Sequence, residues 1–220
     1  LLDSIFVTSP SRAAGKTLVA LALVRRLRKL GRRAIGLKPV DTGCPPGPDH
    51  DLGSVDGKLL QRVSGPPDVP FTVVAPYRFA TIADTPAEAF ERTGLSLELG
   101  ELAEVVQSAA EYGDLAIIEG ATTATTKILR TSDELDLAAA LGARLMIVAD
   151  DEAEAEALSG LAGAKKIPLL GVVVSRGSRP KPREAWLWLP VLEGDLEARV
   201  LATEEALERS GLLSTLRSKS

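Results

Sequence analysis

The chain has 220 residues, 45% hydrophobic and 25% charged, with a formal net charge of −4. Those proportions are globular, so disorder is not expected, and the length suits one α/β domain, 1–220, with a substantial core. The acidic balance supplies no footprint for nucleic acid, and no apolar run approaches a membrane span. The single cysteine, Cys44, excludes an intrachain disulfide or a zinc site of paired cysteines. The lone cysteine leads to the expectation of a reducing, cytoplasmic compartment, and the strand at the start to the expectation of no signal peptide.

In chain order, Ser4–Thr8 reads as an apolar strand and Leu18–Leu30 as a helix. Arg25, Arg26, Arg28, Lys29, Arg32 and Arg33 cluster at the end of that helix, where cations oppose the dipole, and a solvated face is expected. Arg33–Val40 reads as a second buried strand and Asp41–Gly53 as a long loop that contains the one histidine, His50, expected to be a mobile surface residue. Val55–Val63 has helical spacing, and Phe71–Phe79 reads as extended, interrupted by Pro76. An amphipathic helix, Leu97–Tyr112, precedes a short strand, Leu115–Glu119. Helix Leu135–Leu141, strand Arg144–Ala149, helix Asp151–Ala164 and strand Pro168–Ser175 follow. Trp186–Leu189 reads as an edge strand with both tryptophans on one face, for core or dimer packing, and Thr203–Leu213 as a closing helix. Alternating strands and helices imply a parallel sheet covered on both faces, with ligands bound outside the carboxyl ends of the strands.

The segment between the first strand and first helix carries the strongest chemical signal. Ser9-Pro10-Ser11-Arg12-Ala13-Ala14-Gly15-Lys16-Thr17 ends in Gly-Lys-Thr, the core of a phosphate-binding loop. Backbone N–H groups at a helix N-terminus face an anion there. The expected nucleotide-binding residues are Ser11, Arg12, Ala13, Ala14, Gly15, Lys16, Thr17 and Leu18. Lys16 would reach the outer phosphates and the Thr17 hydroxyl would ligate magnesium. Asp56, at a helix start, and Glu119, after a buried strand, complete a candidate magnesium shell of hard oxygen donors. Asp56 also suits a plain helix-start carboxylate. Lys38, at a strand end beside the loop, would stabilise charge on a transferring phosphoryl group. Cys44 is expected to be inert.

Several segments, in this order, resemble the dethiobiotin synthetase family. They are Phe6-Val7-Thr8, Gly15-Lys16-Thr17, Gly36-Leu37-Lys38-Pro39-Val40-Asp41-Thr42-Gly43, Asp56-Gly57-Lys58-Leu59-Leu60-Gln61-Arg62 and Pro76-Tyr77-Arg78-Phe79-Ala80. Ile117-Ile118-Glu119-Gly120-Ala121, Asp136-Leu137-Ala138-Ala139-Ala140-Leu141-Gly142 and Gly171-Val172-Val173-Val174 complete the set. The resemblance implies a single P-loop NTPase-like domain and an ATP- and magnesium-dependent reaction. In that reaction the diamine 7,8-diaminopelargonate takes up carbon dioxide as a carbamate, ATP phosphorylates it, and the second amine closes the ureido ring. It further implies that Lys16 and Lys38 hold phosphates and carbamate, that Thr17, Asp56 and Glu119 hold magnesium, that Thr42 lies near the substrate, and that the enzyme is a homodimer.

The chain departs from the family pattern at specific places. Ser9 replaces the first loop glycine, Arg12 a small hydroxyl residue, and Thr122-Thr123 two glycines. The histidine that the family carries after the Pro-Tyr-x-Phe segment is absent, and Asp150-Asp151-Glu152 occupies a shortened substrate loop. Ser175 stands where the family has an asparagine that reads adenine, which predicts weakened base discrimination. A related ATP-dependent ligase with another substrate, and a nucleotide-binding pseudoenzyme, are the alternative readings.

Overall fold

The computed structural model describes residues 2–47, 52–65, 68–80, 85–175, 185–190 and 192–216. Strand β1 (Asp3–Thr8) leads into helix α1 (Lys16–Lys29), followed by β2 (Ala34–Leu37), β3 (Val40–Thr42), α2 (Val55–Ser64), α3 (Phe71–Val74) and β4 (Tyr77–Phe79). Then come α4 (Pro86–Thr93), α5 (Leu99–Ser108), β5 (Leu115–Glu119), α6 (Glu134–Ala140), β6 (Arg144–Ala149), α7 (Glu152–Ala164), β7 (Leu169–Val174), β8 (Trp186–Trp188) and α8 (Leu196–Ser210). Six strands form one parallel sheet in the order β2-β5-β1-β6-β7-β8.

The expected α/β architecture with a parallel sheet is the one found. The β1-α1-β2 crossover moves one way along the sheet, while β5-α6-β6 and β6-α7-β7 move the other way. Right-handed crossovers therefore place α1 on one face and α6 and α7 on the opposite face. Helices α2 and α8 pack against α1. The sheet interior is mainly apolar, with Ile5, Phe6, Ile117, Ile118, Met146, Ile147 and Val173 all closed to solvent. Burying such strands on both faces is what a covered parallel sheet requires.

Four local expectations are corrected. The expected strand through Val40 breaks at Lys38-Pro39. The Lys38 N–H donates to Val74 O at 2.7 Å, and Pro39 has no N–H to continue the ladder. The chain turns away there, and β3 pairs instead with β4 in a separate two-stranded parallel sheet. Phe71–Val74 is a short helix rather than extended chain, because Pro70 opens a turn whose carbonyl accepts from Val73 and Val74 N–H. The closing helix begins at Leu196, seven residues before Thr203, where the Asp195 carboxylate caps the Ala198 N–H. Helix α4 is absent from the sequence expectations above, and Thr85-Pro86-Ala87-Glu88 starts it with a reciprocal capping box.

The basic cluster is also more than a solvated face. Arg25 pairs with Glu197 and Glu204, Lys29 with Glu204, and Arg26 with Glu208, so these cations fasten α1 to α8. Arg32 joins Asp3 and Asp114. Trp186 and Trp188 do share a face, their rings stacked 5.5 Å apart at 24°. His50 lies outside the described residues.

Candidate functional site

Three adjacent strands, β2, β5 and β1, end side by side. Val7 pairs with Glu119 and Leu37 with Ile118, so the residue after β2, Lys38, reaches the level of Glu119. The phosphate loop leaves β1 at that same edge. Sheet register therefore brings together three segments that lie far apart in sequence.

The loop itself is built for close approach. Gly15 takes φ 101° immediately before α1, a conformation that favours glycine. Ala13 takes φ 59°, unusual for a residue with a side chain. Helix α1 carries no side-chain cap and no acidic residue in its first turn. By contrast, Ser54, Thr85, Asp133, Asp151 and Asp195 cap α2, α4, α6, α7 and α8. The first N–H groups of α1 are thus left for an external acceptor.

A cleft of about 490 Å³ opens over this edge. Its walls include Arg12, Ala13, Gly15, Lys16, Thr17, Lys38, Thr42, Asp56 and Glu119. Nine of the expected site residues therefore meet in one cavity, with Asp41 and Thr122 beside them. Ser11, Ala14, Leu18 and Ser175 are not among its walls. Ala14 and Leu18 are buried in the core. Ser175 sits behind the loop, its hydroxyl shared between Ala14 O at 3.4 Å, Ala149 O at 3.3 Å and Asp150 Oδ1 at 3.3 Å.

Inside the cleft, Glu119 Oε1 accepts from Thr17 Oγ1 at 2.7 Å and from Lys38 Nζ at 3.0 Å. Lys38 also donates to Gly120 O at 3.0 Å and lies 3.5 Å from Asp56 Oδ2. Burial works to neutralise Lys38, but Glu119, Asp56 and Asp41 outweigh it and hold the ammonium above its ordinary pKa. Burial pushes the Glu119 carboxyl up, against the pull of Lys38. The pair is fixed with the lysine charged.

Asp56 is not the cap of α2. That role belongs to Ser54, whose hydroxyl accepts from Gly57 N, so the Asp56 carboxylate is left facing the cleft. Glu119 Oε2 is buried and has no hydrogen-bond partner among the described residues. An orphaned carboxylate oxygen beside a hydroxyl and a second carboxylate suits magnesium, which takes hard oxygen donors and keeps waters and phosphate oxygens in its shell. Cys44 is buried, and burial together with Asp41 pushes its thiol up to about 12, so it stays protonated and unreactive.

Sequence reasoning missed one residue. Glu134, the first residue of α6, is fully buried behind the phosphate loop. Acidic residues in a first turn usually face solvent and favour the dipole, so nothing in the pattern singled it out. Lys16 Nζ donates to Ser9 Oγ at 3.0 Å and to the Thr122 carbonyl. Burial pushes the Lys16 pKa down, while Glu134 pulls it up more strongly than any other carboxylate. Ser9, in place of a loop glycine, is buried and donates to Ser11 O at 2.6 Å.

A family model described as an AAA domain matches residues 3–212. The chain is 33% identical over 149 residues to the ATP-dependent dethiobiotin synthetase BioD of Anaeromyxobacter dehalogenans (strain 2CP-C), covering 67% of this chain and 63% of that protein. It is 39% identical over 121 residues to the protein of the same name from Chromohalobacter salexigens, covering 54% of this chain and 50% of that one. The chain thus spans less than two thirds of the length of these relatives. Among solved structures it resembles the septum site-determining protein MinD complexed with Mg-ADP, from Pyrococcus horikoshii OT3. That TM-score is 0.57 at 17% identity over the whole of both chains, a likeness of P-loop NTPase fold.

Proposed function

The chain belongs to this AAA-domain family, which includes the dethiobiotin synthetases, and we propose that it is an ATP-dependent dethiobiotin synthetase. The observation that carries this reading is the meeting of Lys16, Thr17, Lys38, Thr42, Asp56 and Glu119 around one cleft at the carboxyl ends of three neighbouring strands. The substrates would be 7,8-diaminopelargonate, carbon dioxide or bicarbonate, and ATP. The enzyme would be cytoplasmic and homodimeric, with no nucleic-acid or membrane partner. No helix among the described residues is long and apolar enough to cross a membrane.

Each side chain has a task in this reading. The bare N-terminus of α1, with Arg12, Ala13 and Gly15, receives the triphosphate. Lys16 leaves Ser9 Oγ and the Thr122 carbonyl for the outer phosphates, exchanging two neutral oxygens for an anion. Thr17, Asp56 and Glu119 would hold magnesium, whose charge neutralises the phosphate oxygens when it is bound. Lys38, pinned by Glu119, presents a permanent positive charge to the carbamate and to the phosphoryl group moving onto it. The phosphate loop anchors one reactant, and Thr42 orients the other from the β3 side. Holding both in register is the larger part of catalysis in phosphoryl transfer.

The test is phosphate release with magnesium, ATP, bicarbonate and the diamine, each omitted in turn. Release that needs all four is the expected result. Release indifferent to the diamine would leave a nucleotide-binding fold whose substrate pocket is lost or reassigned, and release stimulated by another small carboxylate or amine would make the chain a ligase for that substrate. Calorimetric binding of a nucleotide with no phosphate release under any combination would make it a nucleotide-binding pseudoenzyme.

A further inference from the structure

Glu134 is a carboxylate in the wrong place for stability alone. It is fully buried, and burial pushes its pKa up. Taking a single charge out of water is costly, so a buried carboxylate calls for a reason beyond packing. Both of its oxygens are nevertheless occupied. Oε2 accepts from Thr8 Oγ1 at 2.6 Å, and Oε1 accepts from the Thr122 N–H at 2.6 Å. Space around it is reserved as well, since a Cβ added at Gly120 would stand 2.1 Å from Glu134 Oε2.

These contacts end on the phosphate loop. The Thr122 N–H is held by Glu134, and its carbonyl receives the Lys16 ammonium. Two residues on, the Ala124 N–H donates to Ser9 O at 2.8 Å, which ties the same segment to the loop a second time. The start of α6 is itself clamped. Asp133 and Asp136 cap one another's N–H groups, and Lys165 from the end of α7 bridges both carboxylates. Residue 122 thus takes its position from α6 and passes it to Lys16.

We propose that Glu134 is a positioning residue of the phosphate site, pinning residue 122 so that Lys16 has one defined place beside the loop from which to meet a phosphate. The inference rests on the nucleotide-binding reading above. Glu134 touches no substrate; it acts through Thr122 and Lys16.

Calorimetric binding of magnesium–ATP to the full chain tests this in a cycle of wild type, E134L, K16A and K16A/E134L. Leucine cannot accept the Thr122 N–H, so E134L is expected to weaken nucleotide binding roughly tenfold in the wild-type background, yet by less than about twofold on top of K16A. E134Q should recover most of that loss, because its oxygen accepts from Thr122 while its amide donates to the Thr8 hydroxyl. A merely structural role gives additive losses and no recovery by glutamine. Thermal midpoints of the free proteins report folding. Should E134L fail to fold, T8V, which removes the other anchor of the carboxylate, is expected to produce a loss of the same sign. If K16A binds too weakly to titrate, the contrast between E134L and E134Q decides. Wild-type affinity in folded E134L, additive effects in the cycle, or E134Q as impaired as E134L would each overturn the proposal. No nucleotide binding by the wild type would instead sink the functional reading.

Discussion

The ammonium of Lys38 lies 3.0 Å from Oε1 of Glu119, and the two side chains are only 3% and 1% exposed. Each covers the other's charge in a place that water barely reaches. The pair joins the end of β2 to the end of β5 and forms the floor of the cleft.

Breaking one side of the pair should therefore cost stability as well as function. Lys38→Met leaves a buried carboxylate without its cation, a loss of about 3–5 kcal/mol. Lys38→Met combined with Glu119→Gln should regain most of the thermal stability and none of the turnover. Denaturant unfolding and phosphate release on the same samples check both halves.

Glu119→Gln keeps an acceptor for Thr17 and removes the negative charge facing the cleft. The magnesium concentration for half-maximal nucleotide binding should rise at least roughly tenfold. An unchanged magnesium requirement would remove Glu119 from the metal shell.

Lys16→Ala should lower turnover by roughly 10²–10³, the scale of losing one preorganised charge at a transferring group. Stability should change little, because the Lys16 partners are Ser9 Oγ and a carbonyl rather than a buried counter-charge in hydrogen-bond contact. Saturation kinetics beside a melting curve separate the two effects.

Ser175 has its hydroxyl committed to the Ala14 and Ala149 carbonyls and to Asp150, behind the loop. It therefore adds little to base reading. ATP, CTP and GTP at equal concentration should support rates within about tenfold of one another, the scale of one neutral hydrogen bond. A much stronger ATP preference would place base recognition elsewhere in the chain.

The clamp of Asp136 and Lys165 predicts an acid-side loss of stability. Burial works to raise the Asp136 pKa, but the Lys165 ammonium and the Asp133 N–H prevail and hold it below the ordinary carboxylate range. A depressed folded-state pKa contributes stability above the unfolded value, about pH 4, and loses it as the pH falls through the folded value. Asp136→Asn should flatten the stability curve in that acid window relative to wild type. Equal pH slopes in the two proteins would contradict it.

Much of this molecule is legible along the chain. Apolar strands alternating with helices dictate a covered parallel sheet, because only burial on both faces suits segments such as Leu115–Glu119 and Leu169–Val174. Gly15-Lys16-Thr17 between a strand and a helix marks the proposed anion site, because the geometry of a helix start is local. Lys38 and Glu119 stand out for the same reason, as charged residues at the ends of apolar strands.

The tertiary structure decided what depends on register and on distant partners. That Lys38 meets Glu119, and Thr17 with it, follows from the strand order β2-β5-β1, which no local pattern encodes. Arg25 and Lys29 look like solvated cations until α8 supplies Glu204. Glu134 looks like an ordinary first-turn acid until folding buries it against Thr8 and Thr122. Local sequence sets dihedral preference and amphipathic period, which reach a few residues. A buried charge is defined by what surrounds it, and for Glu134 that includes Thr8, 126 residues away.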